Sequence, residues 1–310
     1  MINSPKSLQS AAFTWAALRP FIAAERRLGR LATRRPHTAK LYELMRFGLK
    51  QGWACLFGAV MLALLLGSHR WYPREASLPR YDFLVIAAVT AQVLMLLARL
   101  ETLEEAFVIL LFHVTGTVME IFKTSVGSWI YPEPSLLRIG GVPLFTGFMY
   151  ACVGSYIARA WRLFDFRFTN HPPLWATLIL AGAVYANFFG HHYIADLRWV
   201  LFLATFLLFG RCFIYFKVWR IHRRMPLLIG WALVAFFIWI AENIGTFTST
   251  WLYPSQLHGW SPVGIAKLGS WFLLLIISYV LVTLVNRPKA MQIPVAAPAQ
   301  SPELLAASRS

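Results

Sequence analysis

Charge is scarce in this chain. Asp, Glu, Lys and Arg make up 14% of its 310 residues and hydrophobic residues 58%, against about a quarter charged in an ordinary soluble domain. That excludes a soluble globule and implies that lipid is the solvent for much of the surface. Acid is the scarcer sign, with 13 Asp and Glu against 29 Lys and Arg and a formal net charge of +16. Such an excess can mark a nucleic-acid protein. Here the basic residues sit between apolar runs and in the first fifty positions, where membrane topology accounts for them. The expected partner is therefore the bilayer, with a lipid or small-molecule ligand and no nucleic acid.

Cysteine is also rare. Cys55, Cys152 and Cys212 each fall within or at the end of a separate apolar run, without metal-ligand spacing, and read as small packing residues. No His-Glu helical motif of the zinc-protease kind exists, so no metal is expected. No phosphate-cradling Gly-rich loop exists either. Arg138-Ile-Gly140-Gly141-Val-Pro143 opens an apolar run, where such residues shape a loop-to-helix turn, and an anion at that helix N-terminus is the alternative reading. Nothing in the sequence specifies a cofactor or an oligomeric state.

Long apolar runs are abundant. They lie at about 51–68, 82–100, 105–122, 141–161, 174–190, 198–216, 227–246 and 263–285. Each approaches the ~20 residues that cross a bilayer as helix, and none has the alternation of a barrel strand. The expected fold is all-α, a polytopic bundle of about eight transmembrane helices. Arg159, Arg162 and Arg167 follow the fourth run, Lys217, Arg220, Arg223 and Arg224 the sixth, and Arg287 and Lys289 the last. With the basic arm 1–50, which lacks the apolar core of a signal peptide, they place both termini in the cytoplasm of a multi-pass inner-membrane protein. Arg70, Arg74 and Arg80 run against that rule. Within the arm, Pro20 can open a helix with Phe21, Ala24, Leu28 and Leu31 on one face, suited to a membrane surface, and a solvated tail is the equal alternative. The Pro-rich segment 288–310 reads as a disordered tail.

One motif occurs twice. Glu120-Ile-Phe-Lys-Thr124-Ser-Val-Gly-Ser-Trp129-Ile-Tyr131-Pro132 aligns with Glu242-Asn-Ile-Gly-Thr246-Phe-Thr-Ser-Thr-Trp251-Leu-Tyr253-Pro254. The copies lie four runs apart, an even offset, so residues 51–163 and 174–287 are expected to be parallel four-helix repeats with the motifs face to face at the outer surface. A carboxylate within a span costs ~2.5 to 3.5 kcal/mol on insertion scales, so such groups face a cavity or a partner. Glu120 and Glu242 are the candidate acid/base pair. Around them, Thr124, Trp129, Tyr131, Asn243, Thr246, Trp251 and Tyr253 are candidate binding residues, with Lys123 a candidate ion-pair partner of Glu120 and His113 seven residues back on the same face. Asn187 and His191 supply polar groups at the same level, with His192 pointing elsewhere. The bland alternative makes Trp and Tyr interfacial anchors, the histidines interfacial polar residues and each Glu a local cap.

Arg46-Phe-Gly-Leu-Lys50, Tyr81-Asp-Phe-Leu84, Gly127-Ser-Trp-Ile-Tyr-Pro-Glu-Pro134, Gly140-Gly-Val-Pro-Leu144, Arg159-Ala-Trp-Arg-Leu-Phe-Asp-Phe166 and Ala241-Glu-Asn-Ile-Gly-Thr246 resemble the bacterial integral membrane family of unknown function 817 (YoaT-like), over about residues 45 to 288. That resemblance implies a bacterial inner membrane and no defined reaction. The Glu, Gly and Tyr pattern at a span end is similar to that of membrane carotenoid hydratases and cyclases, from whose patterns the chain departs over most of its length. Three functions stay open: an acid/base enzyme acting on an isoprenoid or other lipid, a small-solute or ion transporter using the paired carboxylates, and a non-catalytic assembly partner whose Trp-Tyr-Pro loops contact another membrane protein.

Overall fold

The computed structural model describes residues 19–32, 36–73 and 75–291. The beginning of the basic arm, Arg34, Arg35, Arg74 and most of the Pro-rich tail lie outside the described residues. Helices dominate: α1 (Arg19–Ala32), α2 (Pro36–Ala54), α3 (Leu56–Trp71), α4 (Arg80–Leu97), α5 (Leu103–Ser125), α6 (Phe145–Phe164), α7 (Leu174–Gly190), α8 (Arg198–Phe209), α9 (Leu227–Phe247) and α10 (Ala266–Val285). Prolines mark their starts. Pro79, Pro173 and Pro226 immediately precede α4, α7 and α9, where a residue with no N–H to donate suits a helix entry. At α5, Thr102 and Glu105 form a reciprocal capping box.

Among the described residues four helices, α4, α5, α9 and α10, are long and apolar enough to cross a membrane, and the pair α2–α3, bent by 65° at Cys55, makes a fifth if counted as one span. The chain is thus a helical membrane protein. α7 has 17 residues and α8 only 12; the latter rises about 18 Å, short of the ~30 Å hydrocarbon core. The outer faces are apolar, with Leu97, Phe107, Trp199, Leu207 and Phe237 all exposed, whereas Asp82, Glu101, Glu120, Arg159 and Glu242 are buried. Polar groups inside and hydrocarbon outside is the arrangement lipid demands.

α6 is the central helix, packed on α2, α3, α4, α5 and α10. Its approach to α5 depends on glycine: Gly116 lies under the Tyr150 ring, Gly147 under His113 and Gly154 under Phe112. Small residues of this kind let membrane helices pack closely. The neighbour relations have a second regularity. α3 touches α4, α6 and α9, while α7 touches α8, α10 and α5.

The structure corrects the all-α expectation. A hairpin, β1 (Arg138–Ile139) with β2 (Val142–Pro143), turns through Gly140 and Gly141 just before α6. At the opposite end, β3 (Arg167–Thr169), β4 (Phe213–Lys217) and β5 (His222–Pro226) form an antiparallel sheet in the order β3-β4-β5. The sixth apolar run therefore leaves helix at Phe209 rather than 216. Phe213-Ile-Tyr-Phe216 favours strand, and β3 and β5 offer it two edges. The chain after α10 joins this end: Phe168 N–H donates to Lys289 O at 2.9 Å and Met291 N–H to Phe168 O at 2.8 Å. The start of the expected disordered tail is thus held against β3. Lys50 on α2 donates to Leu163 O and Lys217 O, each at 2.7 Å, tying the basic end of the chain to α6 and β4.

Candidate functional site

Both copies of the repeated motif end their helices identically. After α5, Gly127 has φ +70°, its N–H reaches Thr124 O, and Ser128 N–H reaches back to Lys123 O at 2.9 Å. After α9, Ser249 has φ +52°, its N–H reaches Thr246 O, and Thr250 N–H reaches Gly245 O at 3.0 Å. These are Schellman motifs, in which one left-handed residue reverses the chain. Reversal carries the following segment back along its own helix in extended form, where residues two apart share a face.

Consequently Trp129 and Tyr131 both reach the carboxylate of Glu120. Trp129 Nε1 donates to Oε2 at 2.6 Å, and the Tyr131 hydroxyl donates to the same oxygen. In the second copy Trp251 Nε1 donates to Glu242 Oε1 at 3.0 Å and Tyr253 Oη at 2.5 Å. The aromatics expected as anchors or binding residues are carboxylate ligands. Gly245 makes this possible in the second copy, because a Cβ there would collide with the Trp251 ring.

The residue between each Trp and Tyr points the other way, and the two meet. Ile130 and Leu252 form an antiparallel bridge with N–H to O distances of 2.9 and 3.0 Å. The Trp129 and Tyr253 rings cross edge to face at 6.1 Å. Lys267, from α10, places its ammonium 4.4 Å from the Tyr253 ring centre and 5.7 Å from that of Trp129, within cation–π range.

The two carboxylates differ in their donors. Glu120 accepts a third bond, from Tyr150 Oη to Oε1 at 2.7 Å. In α10 the offset relating Glu120 to Glu242 assigns this place to Phe272, which has no hydroxyl. Tyr150 also lines a small apolar crevice of about 30 Å³ between α5, α6, α9 and α10, with Gly116, Met119, Trp271 and Ser278. Outside the helices, burial and the neighbouring carboxylates hold the Tyr131 and Tyr253 hydroxyls well above the usual phenol range, so both remain donors at neutral pH.

The remaining candidates lie around this junction. Lys123 does not pair with Glu120, which corrects that expectation: its ammonium turns to His192 Nε2 at 2.8 Å and His191 Nε2 at 3.4 Å. The carboxylate already accepts from three neutral donors, whereas imidazole nitrogens offer the ammonium acceptors. Asn187 is a loop brace, donating to Asp196 and accepting from Leu197 N–H. Asn243 accepts Val263 N–H at 2.9 Å, and Thr246 accepts Trp260 Nε1 at 3.2 Å, so both brace the loop before α10. His113 packs on Phe148 with Nδ1 buried and unpartnered, as is Thr124 Oγ1. Among the described residues no three His, Cys, Asp or Glu side chains gather to hold a metal.

Sequence reasoning missed a clamp at the start of α4. Tyr81 Oη donates to Thr250 O at 2.8 Å, Arg80 pairs with Glu133 at 2.7 Å, and Asp82 accepts from Ser135 Oγ and the Leu136 and Leu137 N–H groups. One helix thereby holds the loop after the first motif and the turn of the second. The signal available was an Arg-Tyr-Asp run opening an apolar span. Tyr150 and Lys267 were missed as well, although Lys267 is the single charged residue of α10.

The description "Protein of unknown function (DUF817)" belongs to a family that matches residues 43–279. The "Uncharacterized protein YoaT" of Bacillus subtilis (strain 168) is 42% identical over 247 residues, covering 80% of this chain and 93% of that one. No solved structure matches the chain. The matched stretch takes in both Glu-Trp-Tyr constellations, the α4 clamp, Tyr150 and Lys267, and the chain belongs to the DUF817 family.

Proposed function

We propose that this protein is a bacterial inner-membrane acid/base enzyme acting on an isoprenoid or other lipid, with Glu120 and Glu242 as its proton-handling groups. The observation that carries the reading is Tyr150: its hydroxyl donates to Glu120 while its ring walls the apolar crevice. A hydrocarbon chain entering from the bilayer between the helices meets a phenol backed by a carboxyl. Carboxyls withdrawn from water are the groups enzymes use to hold and deliver a proton. Three donors on Glu120 and two on Glu242 make the two chemically unequal, as an acid and a base must be.

The architecture we infer has eight crossings in two parallel repeats, 51–163 and 174–287, between a cytoplasmic arm 1–50 and a tail 288–310, with both termini cytoplasmic. Exchanging the halves turns the neighbours of α3 into those of α7. An antiparallel bridge such as Ile130 with Leu252 is itself two-fold symmetric, as the junction of two parallel halves requires. The same symmetry favours a transporter as second reading, with the carboxylates binding a proton or cation on the axis.

The test compares, by mass spectrometry, lipid extracts from cells lacking the protein, expressing it, or expressing Glu120→Gln, Glu242→Gln or Tyr150→Phe at matched abundance. A lipid changed by the normal protein and restored by the glutamine variants supports the enzyme. Identical profiles in all five strains, with solute uptake lost in the glutamine variants, move the assignment to transport.

A further inference from the structure

Lys123 is a cation withdrawn from water without an acid beside it. The residue is 4% exposed, and among the described residues no carboxylate lies within ion-pair distance of its ammonium. Its contacts are the two imidazoles and the face of Phe188, 4.2 Å from the ring centre. An ammonium has only donors, so both rings must accept at Nε2. His191 Nδ1 lies 3.0 Å from Asn187 O, a partner that fixes this tautomer.

Burying an ammonium without a counter-charge is costly. The negative end of the α5 dipole offsets part of that cost. Nearby groups do not complete it. Lys267 and Arg198 reach Lys123 electrostatically and are also positive, while Asp196, the acid that reaches it, is already engaged by Asn187 and Arg198. Burial and the Lys123 charge hold the His192 imidazole below its usual range, so it is neutral at physiological pH. His192 is exposed, which opens a path from solvent to the ammonium. The constellation is one anion short of balance.

We propose that Lys123, His191 and His192 form a phosphate-binding site that takes the head of a phosphorylated lipid. The choice of a lipid rests on the enzyme reading above; the phosphate chemistry rests on Lys123 alone. Lys123 and the crevice wall of Gly116 and Met119 share α5, so head and chain can be held by one helix. Approach of a dianion raises the proton affinity of the His192 imidazole, turning it from an acceptor of Lys123 into a donor to a phosphate oxygen.

The experiment measures binding to the purified full chain in nanodiscs by calorimetry, with farnesyl monophosphate, farnesol and inorganic phosphate as probes. Farnesyl monophosphate should bind, farnesol should bind weakly, and Lys123→Met should weaken the former by roughly tenfold or more while Lys123→Arg keeps most of it. Arg220→Gln, at the opposite end, should leave it unchanged. Ligand-free Lys123→Met should melt no lower than the normal protein, because its loss removes an unbalanced buried charge; this separates lost binding from lost folding. Inorganic phosphate binding as tightly as the lipid would keep the anion site and assign it to free phosphate. No Lys123-dependent binding of either phosphate overturns the proposal. Phosphate binding with no lipid altered in cells rejects the enzyme and keeps the site, and an altered lipid without phosphate does the reverse.

Discussion

Ile130 and Leu252 exchange backbone hydrogen bonds at 2.9 and 3.0 Å across the junction of the two motifs. Each sits between the Trp and Tyr that grip its own glutamate, so the bridge fixes the spacing of both carboxylate clusters. Replacing Leu252 with Pro removes the N–H that Ile130 O accepts and leaves that carbonyl unpaired. An unmet backbone partner costs about 1–3 kcal/mol. The variant should melt several degrees lower in detergent, and an unchanged melting temperature would show that the bridge does not hold the halves.

The two Schellman turns predict opposite effects of one exchange. Ser249 pays for a left-handed conformation, φ +52°, that Gly127 adopts freely in the other copy. Ser249→Gly should stabilise the protein by about 0.5–1 kcal/mol, and Gly127→Ser should destabilise it by a similar amount. Thermal unfolding of the two variants decides it; changes of the same sign refute the equivalence of the turns.

The glutamates should not tolerate truncation equally. Glu120→Leu strands Trp129 Nε1, Tyr131 Oη and Tyr150 Oη, whereas Glu242→Leu strands only Trp251 Nε1 and Tyr253 Oη. At about 1–3 kcal/mol for each buried donor left unmet, the first should be the more destabilising. Adding Tyr150→Phe to Glu120→Leu should recover part of the difference, which a double-mutant cycle reads directly.

Much of this junction is legible in the sequence. Glu, Trp and Tyr recur in register, and i to i+4 spacing placed Glu and Thr on one helix face. Their partnership was not legible, because Trp129 and Tyr131 reach Glu120 only after a left-handed residue turns the chain back, and a serine fills that role in the second copy. Helical spacing places Lys123 beside Glu120, but the rotamer follows the acceptors available just after α7. The apolar runs mark α3 to α10 but not α2, most of which lies in the basic arm, and at 213–217 strand pairing with β3 and β5 overrides the run. The α4 clamp joins residues more than fifty positions apart, which no local pattern encodes.

Acid should loosen the loop between α7 and α8 first. Burial pushes the Asp196 carboxyl up, but hydrogen bonds from Asn187 and the Arg198 N–H, with the Arg198 charge, outweigh it and hold the group below the usual carboxylate range. A depressed folded value contributes stability above the unfolded value of about 4 and loses it as pH falls through the folded one. The side chain is 38% exposed, so screening keeps the effect small. Hydrogen exchange of the Leu197 and Arg198 amides should accelerate, relative to the sheet, as pH drops below about 4. In Asp196→Asn that pH dependence should vanish.

A comparably large single-site effect on folding should come from the end opposite the glutamates. Arg159 and Glu101 form an ion pair with both side chains fully buried, and Ser155 Oγ and Gln92 Nε2 also contact Glu101. Removing one partner strands a charge where neither water nor lipid headgroups reach. Glu101→Leu or Arg159→Leu alone should cost about 3–5 kcal/mol. The double variant replaces the pair with hydrocarbon and leaves only neutral groups, Ser155 Oγ and Gln92 Nε2, without their partner, and replacing a buried pair in this way is often neutral or stabilising. It should therefore melt well above either single variant. A double variant as unstable as the sum of the singles would mean that the pair contributes more than its own desolvation cost, and that its role is to fix α4, α5 and α6 in register rather than to balance charge.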